Sequence, residues 1–235
     1  MSFQSRTKKI FVANRSLLVF FGLMMVFRSA LADWMLVPTG SMNPTIVEGD
    51  RILVNKAAYG LRVPFTTFRL TEGADPQRGD IVIFPSPQDG TTLVKRVIGL
   101  PGETVEMRDE RLLIDGEPVD YAATAQDDTD LPQATRATHH TFASESLGER
   151  RHPIMTLPDR PAARTFGPLR VPNGQYLVLG DNRDNSADSR YFGFFPRGEL
   201  MGRTRRVAFS LDPDHYYEPR FSRFGARLDA PLASR

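Results

Sequence analysis

Eleven consecutive apolar residues, Leu17–Phe27 (LLVFFGLMMVF), follow a basic opening that holds Arg6, Lys8, Lys9 and Arg15. No later stretch is as apolar, so the placement of this one constrains the whole chain. Three arrangements compete. A cleaved leader fits the basic start, the short run and the small residues Ala30 and Ala32 that precede Asp33. A buried helix of a globular domain fits the length but not the adjacent basic cluster. A membrane anchor fits if the span runs from Ile10 to Leu31, with the Arg15 and Arg28 heads reaching the two interfaces while their stems lie in hydrocarbon. Arg28 is misplaced for a cleavage region, and apolar character resumes at Trp34, Met35 and Leu36. The anchor is therefore the favoured arrangement, with the basic side cytoplasmic and everything after it outside.

Beyond residue 46 the pattern changes to short runs rich in Val, Ile, Leu and Tyr, bounded by Gly, Pro or Asp: DRILVNK, GDIVIFPSP, TTLVKRVIGL, ETVEM, RLLIDGEPV and GQYLVLGD. These predict strands. MRDERLLIDGEPV predicts a hairpin with a tight Asp-Glu connection followed by an Asp-Gly turn. Sustained helical periodicity is absent after residue 35, so the fold class expected is an all-β, β-dominated domain behind one N-terminal transmembrane helix. Residues 121–170 are polar, with prolines at 132, 153, 158, 161 and 168, and are expected to form an irregular or β insert. The expected organisation is anchor at 1–35, β-domain at 36–120 and 171–235, and insert at 121–170.

Charge and composition exclude several function classes. Thirty basic against 28 acidic residues leave a net charge of only +2, which gives no basic field for nucleic acid. With no cysteine, disulfides, thiolate metal sites and a cysteine nucleophile are ruled out. The four histidines, His139, His140, His152 and His215, lack metal-ligand spacing and are expected to be solvated loop residues. These residues give no expectation of a metal centre.

Three stretches carry candidate chemistry. In PTGSMNPTIVEGD (Pro38–Asp50), Ser41 sits in a turn of Gly, Asn and Pro, where serine is ordinary for backbone reasons. In TTLVKRVIGLPGE, strand alternation sets Lys95 between Leu93 and Val97 on one face and turns Arg96 to the other. A lysine so placed is partly desolvated, which disfavours the ammonium; a lysine blunting a sheet edge is the alternative. The third stretch, GDNRDNSADSRYFGFFP (Gly180–Pro196), is dense in Asp and Asn. A calcium-loop frame from Asp184 meets Ser189 where glycine is needed and Phe195 where the closing glutamate belongs, so calcium is rejected. The aromatic residues that follow predict a loop packed down on the domain.

Together, in this order behind the apolar segment, these stretches resemble the bacterial type I signal peptidases (leader peptidases), membrane-bound serine endopeptidases of the Ser/Lys type. RGDIVIFPSP and, near the end, PRFSRFGARL resemble further family segments. The resemblance implies that Ser41 is the nucleophile and Lys95, neutral at rest, its general base, so that no metal or organic cofactor is needed. It implies that Ser186 hydrogen-bonds and aims the lysine amine. The oxyanion hole would be the Ser41 N–H with the hydroxyl of Thr39, a position where many members carry serine. Asp181 would pair with Arg96, and Asp188 with Arg190, as structural supports. The implied substrates are secretory preproteins cut after small residues in an A-x-A pattern, at the extracytoplasmic face of the bacterial inner membrane. Signal peptides and membrane lipid are the implied partners, and a monomer is expected. The alternatives are a peptidase dedicated to a narrow substrate such as a pilin, a self-cleaving Ser/Lys repressor, which would need a DNA-binding domain, and a catalytically decayed membrane-anchored binding protein.

Overall fold

The computed structural model describes residues 14–66, 68–124 and 128–229. Its N-terminal helix, Arg15–Ala30, is exposed along almost its whole apolar length. Sixteen residues rise about 24 Å, short of the roughly 30 Å of a hydrocarbon core. No helix among the described residues is long and apolar enough to cross a membrane, and residues 10–13 of the expected span lie outside the described residues. Arg28, the residue expected to carry its head to an interface, lies in the last turn of this helix. Its guanidinium binds Asp33 Oδ1 through Nε (2.9 Å) and Nη2 (2.7 Å) and lies 4.4 Å from the Trp34 ring.

The rest is β-dominated, as expected. The strands are β1 (Ala32–Leu36), β2 (Asp50–Asn55), β3 (Ile81–Pro85), β4 (Thr92–Gly99), β5 (Thr104–Arg108), β6 (Arg111–Ile114), β7 (Glu117–Pro118), β8 (Tyr121–Ala123), β9 (Thr141–Leu147), β10 (Arg150–Thr156), β11 (Phe166–Arg170), β12 (Gln175–Leu179), β13 (Phe195–Pro196), β14 (Gly202–Asp212) and β15 (Glu218–Pro219). The main sheet has the order β1-β2-β14-β3-β4-β12-β13, with β15 added on β14. Strand β3 sits between β14 and β4, and its unbroken IVIF run is buried on both faces. The expected hairpin forms between β5 and β6. Its two connecting residues, Asp109 and Glu110, have φ of 46° and 68°, and Asp115-Gly116 repeats the double positive φ before β7.

Residues 121–170 take the β alternative over much of their length. They contain β8–β10, a three-stranded antiparallel sheet, and β11, which pairs with β5. The polar, proline-containing sequence hides these strands because much of their length is only partly buried. Strand β10 then meets the Asp-rich loop directly: Met155 bridges Asn182 in parallel.

Strand β4 organises the core. Leu93 and Val97 pack in one apolar cluster with Val82, Phe84 and Phe195. Val94 joins a second cluster with Met42 and Ile46, and Ile98 belongs to a third with Val105 and Leu177. Phe84 stacks on Phe195 with ring centroids 4.3 Å apart. Phe84→Ala is expected to lower unfolding free energy by about 3–5 kcal/mol, measured from urea midpoints at unchanged m. A loss below about 1 kcal/mol would mean that this stack is not part of the stabilising core.

Candidate active site

The turn at Ser41 is fixed by its neighbours on both sides. Gly40–Met42 forms a single 3-10 turn, with Met42 sunk in the cluster under β4. A Cβ at Gly40 would stand 2.5 Å from both Asn43 Nδ2 and Glu48 Oε1, so a side chain there would displace the Asn43 and Glu48 side chains. Thr39 precedes the turn in an extended conformation, exposed, and its hydroxyl makes no capping bond to the turn. The two carbonyls of the turn are held from the Asp-rich loop: Asn182 donates its N–H to Ser41 O (3.1 Å) and its Nδ2 to Gly40 O (3.0 Å). Asn182 had no role assigned from sequence; nothing distinguishes it there from the other Asp and Asn residues of its loop.

Lys95 reaches Ser41 from β4. Its Nζ lies 2.7 Å from Ser41 Oγ and 3.0 Å from Val94 O, and the residue is 2% exposed. The desolvation expected from strand alternation is therefore present. Burial lowers the amine from its ordinary 10.5 to about 8. The Asp188 and Asp181 carboxylates oppose that shift, and Arg190 reinforces it.

Both expected ion pairs form. Arg96 Nε and Nη2 donate to Asp181 Oδ1 (2.8 Å) and Oδ2 (2.6 Å), while Nη1 donates to Gly79 O (2.9 Å). Thr45 adds its hydroxyl to Asp181 Oδ2 at 2.5 Å. Arg190 binds Asp188 through two contacts of 2.8 Å, and Asp188 also accepts the Gly180 N–H. Burial opposes ionisation of Asp181, but Arg96 outweighs it and holds the carboxyl below its usual range.

Ser186 departs from expectation. Its Oγ is buried without a hydrogen-bond partner, so the expected bond to the Lys95 amine is not made. The hydroxyl instead crowds Gly180, where a Cβ would meet Ser186 Oγ at 2.3 Å and the Ser41 carbonyl oxygen at 2.4 Å. The histidine expectation also needs correction at two positions: His140, whose side chain is only 11% exposed with Nδ1 2.8 Å from Thr138 O, and His152. His139 and His215 are exposed, but His152 lies in β10, 2% exposed, with Nε2 3.3 Å from Glu145 Oε1 and 3.7 Å from Asp181 Oδ1. Sequence offered no signal for this, because the partners of His152 come from a neighbouring strand and a distant loop.

The chain matches the family described as "Signal peptidase, peptidase S26" over residues 10–209. It is 38% identical over 216 residues to "Signal peptidase I" of Pseudomonas fluorescens, covering 86% of this chain and 74% of that protein. Against "Signal peptidase I" of Pseudomonas aeruginosa the identity is 36% over the same length and coverage. A crystal structure of a signal peptidase I from Enterococcus faecalis V583 aligns with 39% identity over 55% of this chain and 97% of that one, with a TM-score of 0.34.

The buried amine makes a thermodynamic prediction independent of activity. The fold disfavours the ammonium, so between pH 8 and 10.5 the unfolded chain binds more protons than the folded one, and stability rises with pH across that window. Lys95→Met is expected to be more stable than wild type at pH 7 by up to about 3 kcal/mol, with the excess shrinking toward pH 10.5. Parallel urea titrations from pH 7 to 10.5 measure it; a constant difference would contradict burial as the cause.

Proposed function

The chain belongs to the signal peptidase family, peptidase S26, and from that premise we propose that it removes signal peptides from secreted preproteins by Ser/Lys catalysis at a membrane surface. As a member of this family it is a peptidase, a hydrolase. The observation that carries the mechanistic reading is the 2.7 Å approach of the buried Lys95 Nζ to Ser41 Oγ.

With its pKa near 8, about a tenth of the lysine is free amine at pH 7, and half is free at pH 8. The free amine accepts the Ser41 hydroxyl proton as Oγ attacks the scissile carbonyl. The oxyanion that forms is met by the Ser41 N–H and the Thr39 hydroxyl, which the turn leaves uncommitted to capping. The Lys95 ammonium then gives its proton to the departing amine as the C–N bond breaks. A water takes the place of the released segment and attacks the acyl carbon as Lys95 accepts its proton; the ester C–Oγ bond then breaks and Lys95 returns the proton to Ser41 Oγ. The Arg96–Asp181 and Asp188–Arg190 pairs keep two nearby carboxylates occupied, so neither becomes a dedicated counter-ion for the ammonium.

Membrane attachment is part of the proposal. It is supported by the exposed apolar helix, by the basic residues before it, and by the Arg28, Asp33 and Trp34 cluster at its end, a grouping suited to an interface. The β-domain would then face the extracytoplasmic side of a bacterial inner membrane. Ser41 follows the helix closely enough to meet a membrane-held substrate near the surface.

A preprotein carrying an Ala-x-Ala site, incubated in detergent, is expected to be cut after the second alanine by wild type and left intact by Ser41→Ala and Lys95→Ala. The pH profile of kcat/KM should rise to a plateau with its limb near 8. A limb near 10.5 would remove Lys95 as a desolvated base, and an inactive wild type on several general preproteins would favour a dedicated substrate or a decayed site.

A further inference from the structure

Arg183 is the largest of the fully buried side chains, 1% exposed, and it is a cation. Its Nη2 donates to Glu145 Oε1 at 2.6 Å, and Glu145 is itself fully buried on β9. The second carboxylate oxygen accepts the Tyr121 hydroxyl at 2.5 Å, and that hydroxyl in turn accepts the Leu112 N–H. His152, directly opposite Glu145 in the β9–β10 register, closes the cluster. Burial would push the Glu145 carboxyl up, but Arg183 and His152 outweigh it and hold it well below the usual range. None of these groups takes part in the steps above, and apolar residues fill such a volume at no loss of stability as a rule. What a buried pair supplies that apolar packing does not is a fixed direction at each end.

Here the direction leads to Ser41. Strand β10 holds the loop backbone on both sides of Asn182: Met155 N–H donates to Asp181 O, and Arg183 N–H donates to Met155 O, both at 2.8 Å. Asn182 thus stands between two residues that are each pinned by a buried ion pair, Asp181 by Arg96 and Arg183 by Glu145. Asn182 in turn holds the Gly40 and Ser41 carbonyls. We infer that Glu145 is a positioning residue for the nucleophile: through Arg183 it fixes Asn182, and Asn182 fixes the turn that aims Ser41 Oγ and the Ser41 N–H. Tyr121, Glu145 and Met155 therefore act on the nucleophile through the loop backbone. This rests on the Ser/Lys reading given above.

The test compares kcat, KM and melting temperature on an Ala-x-Ala preprotein, with Ser41→Ala as the control. Glu145→Gln is expected to lower kcat about 30-fold with KM within twofold, since displacements well under 1 Å at a reacting group cost of that order. It also strands a buried guanidinium, so it will melt lower. The Glu145→Met, Arg183→Met double variant removes that stranded charge and is expected to recover the melting temperature but not kcat. Tyr121→Phe, a milder change, should lower kcat about threefold at unchanged KM by freeing the second carboxylate oxygen. Recovery of both melting temperature and kcat in the double variant would overturn the inference, because a purely structural pair predicts that outcome. Should neither Glu145 variant fold, an unchanged kcat in Tyr121→Phe overturns it. Wild-type kcat in Glu145→Gln alongside a dead Ser41→Ala would sink the inference and leave the Ser/Lys reading standing. Activity persisting in Ser41→Ala would sink both.

Discussion

The buried pair between Arg96 and Asp181 is the contact on which the site's geometry depends. It joins the middle of β4 to the first acidic residue of the Asp-rich loop, and its remaining hydrogen-bonding capacity is taken up by Gly79 O and the Thr45 hydroxyl. Such a pair adds little net stability, although breaking it by removing one partner costs about 3–5 kcal/mol. Its value lies in register. Arg96 sits opposite Leu179 on β12, and its sequence neighbour Lys95 turns the other way along the strand. A slip of one residue between β4 and β12 would exchange the two faces, sending the arginine toward Ser41 and the lysine toward the carboxylate. The ion pair penalises that slip.

The charge balance around Lys95 follows from the same arrangement. A buried amine beside free carboxylates would stay protonated. Asp181 and Asp188 are both near enough to raise the lysine pKa, yet each is bidentately engaged by an arginine, and burial prevails. The loop thus supplies acidic groups that hold backbone N–H groups and guanidinium ions in place, and neutralises them locally so that they do not hold the ammonium. Arg190 does both tasks, binding Asp188 and adding its own charge against protonation of Lys95.

Much of this was legible in the amino-acid order where the determining contacts are local or periodic. The IVIF run read as a strand, DE and DG read as tight turns, and alternation along TLVKRVIG separated Lys95 from Arg96. The Arg96–Asp181 and Asp188–Arg190 pairs came from motif resemblance and are present. The misses have a common cause. His152, Glu145 and Arg183 become neighbours only through strand pairing and a contact spanning 38 positions, so each looks like an ordinary polar residue in its own segment. The strands of residues 121–170 were hidden by partial exposure, which removes the apolar alternation that marks a strand. The direction of the Ser186 hydroxyl depends on the crowding at Gly180, which no sequence pattern encodes.

The junction between the N-terminal helix and β1 is unusually stiff. A single residue, Leu31, separates them, and its carbonyl is bound by the Lys56 N–H. Lys56 Nζ holds Arg28 O at 2.8 Å and Asp33 Oδ2 at 3.2 Å, and Ser29 Oγ accepts the Phe65 N–H. Four hydrogen bonds thus tie the end of the helix to the sheet that leads to Ser41 and to the segment beside it. With that helix in lipid, as proposed, the height of the serine above the hydrocarbon is set by the frame of the protein, and the junction works as a ruler. A bond presented too close to the bilayer, or too far from it, would miss the nucleophile even with ideal side chains beside it. Selection of the cleavage point then has a geometric component, measured from the membrane, that acts before any pocket reads the residues next to the bond.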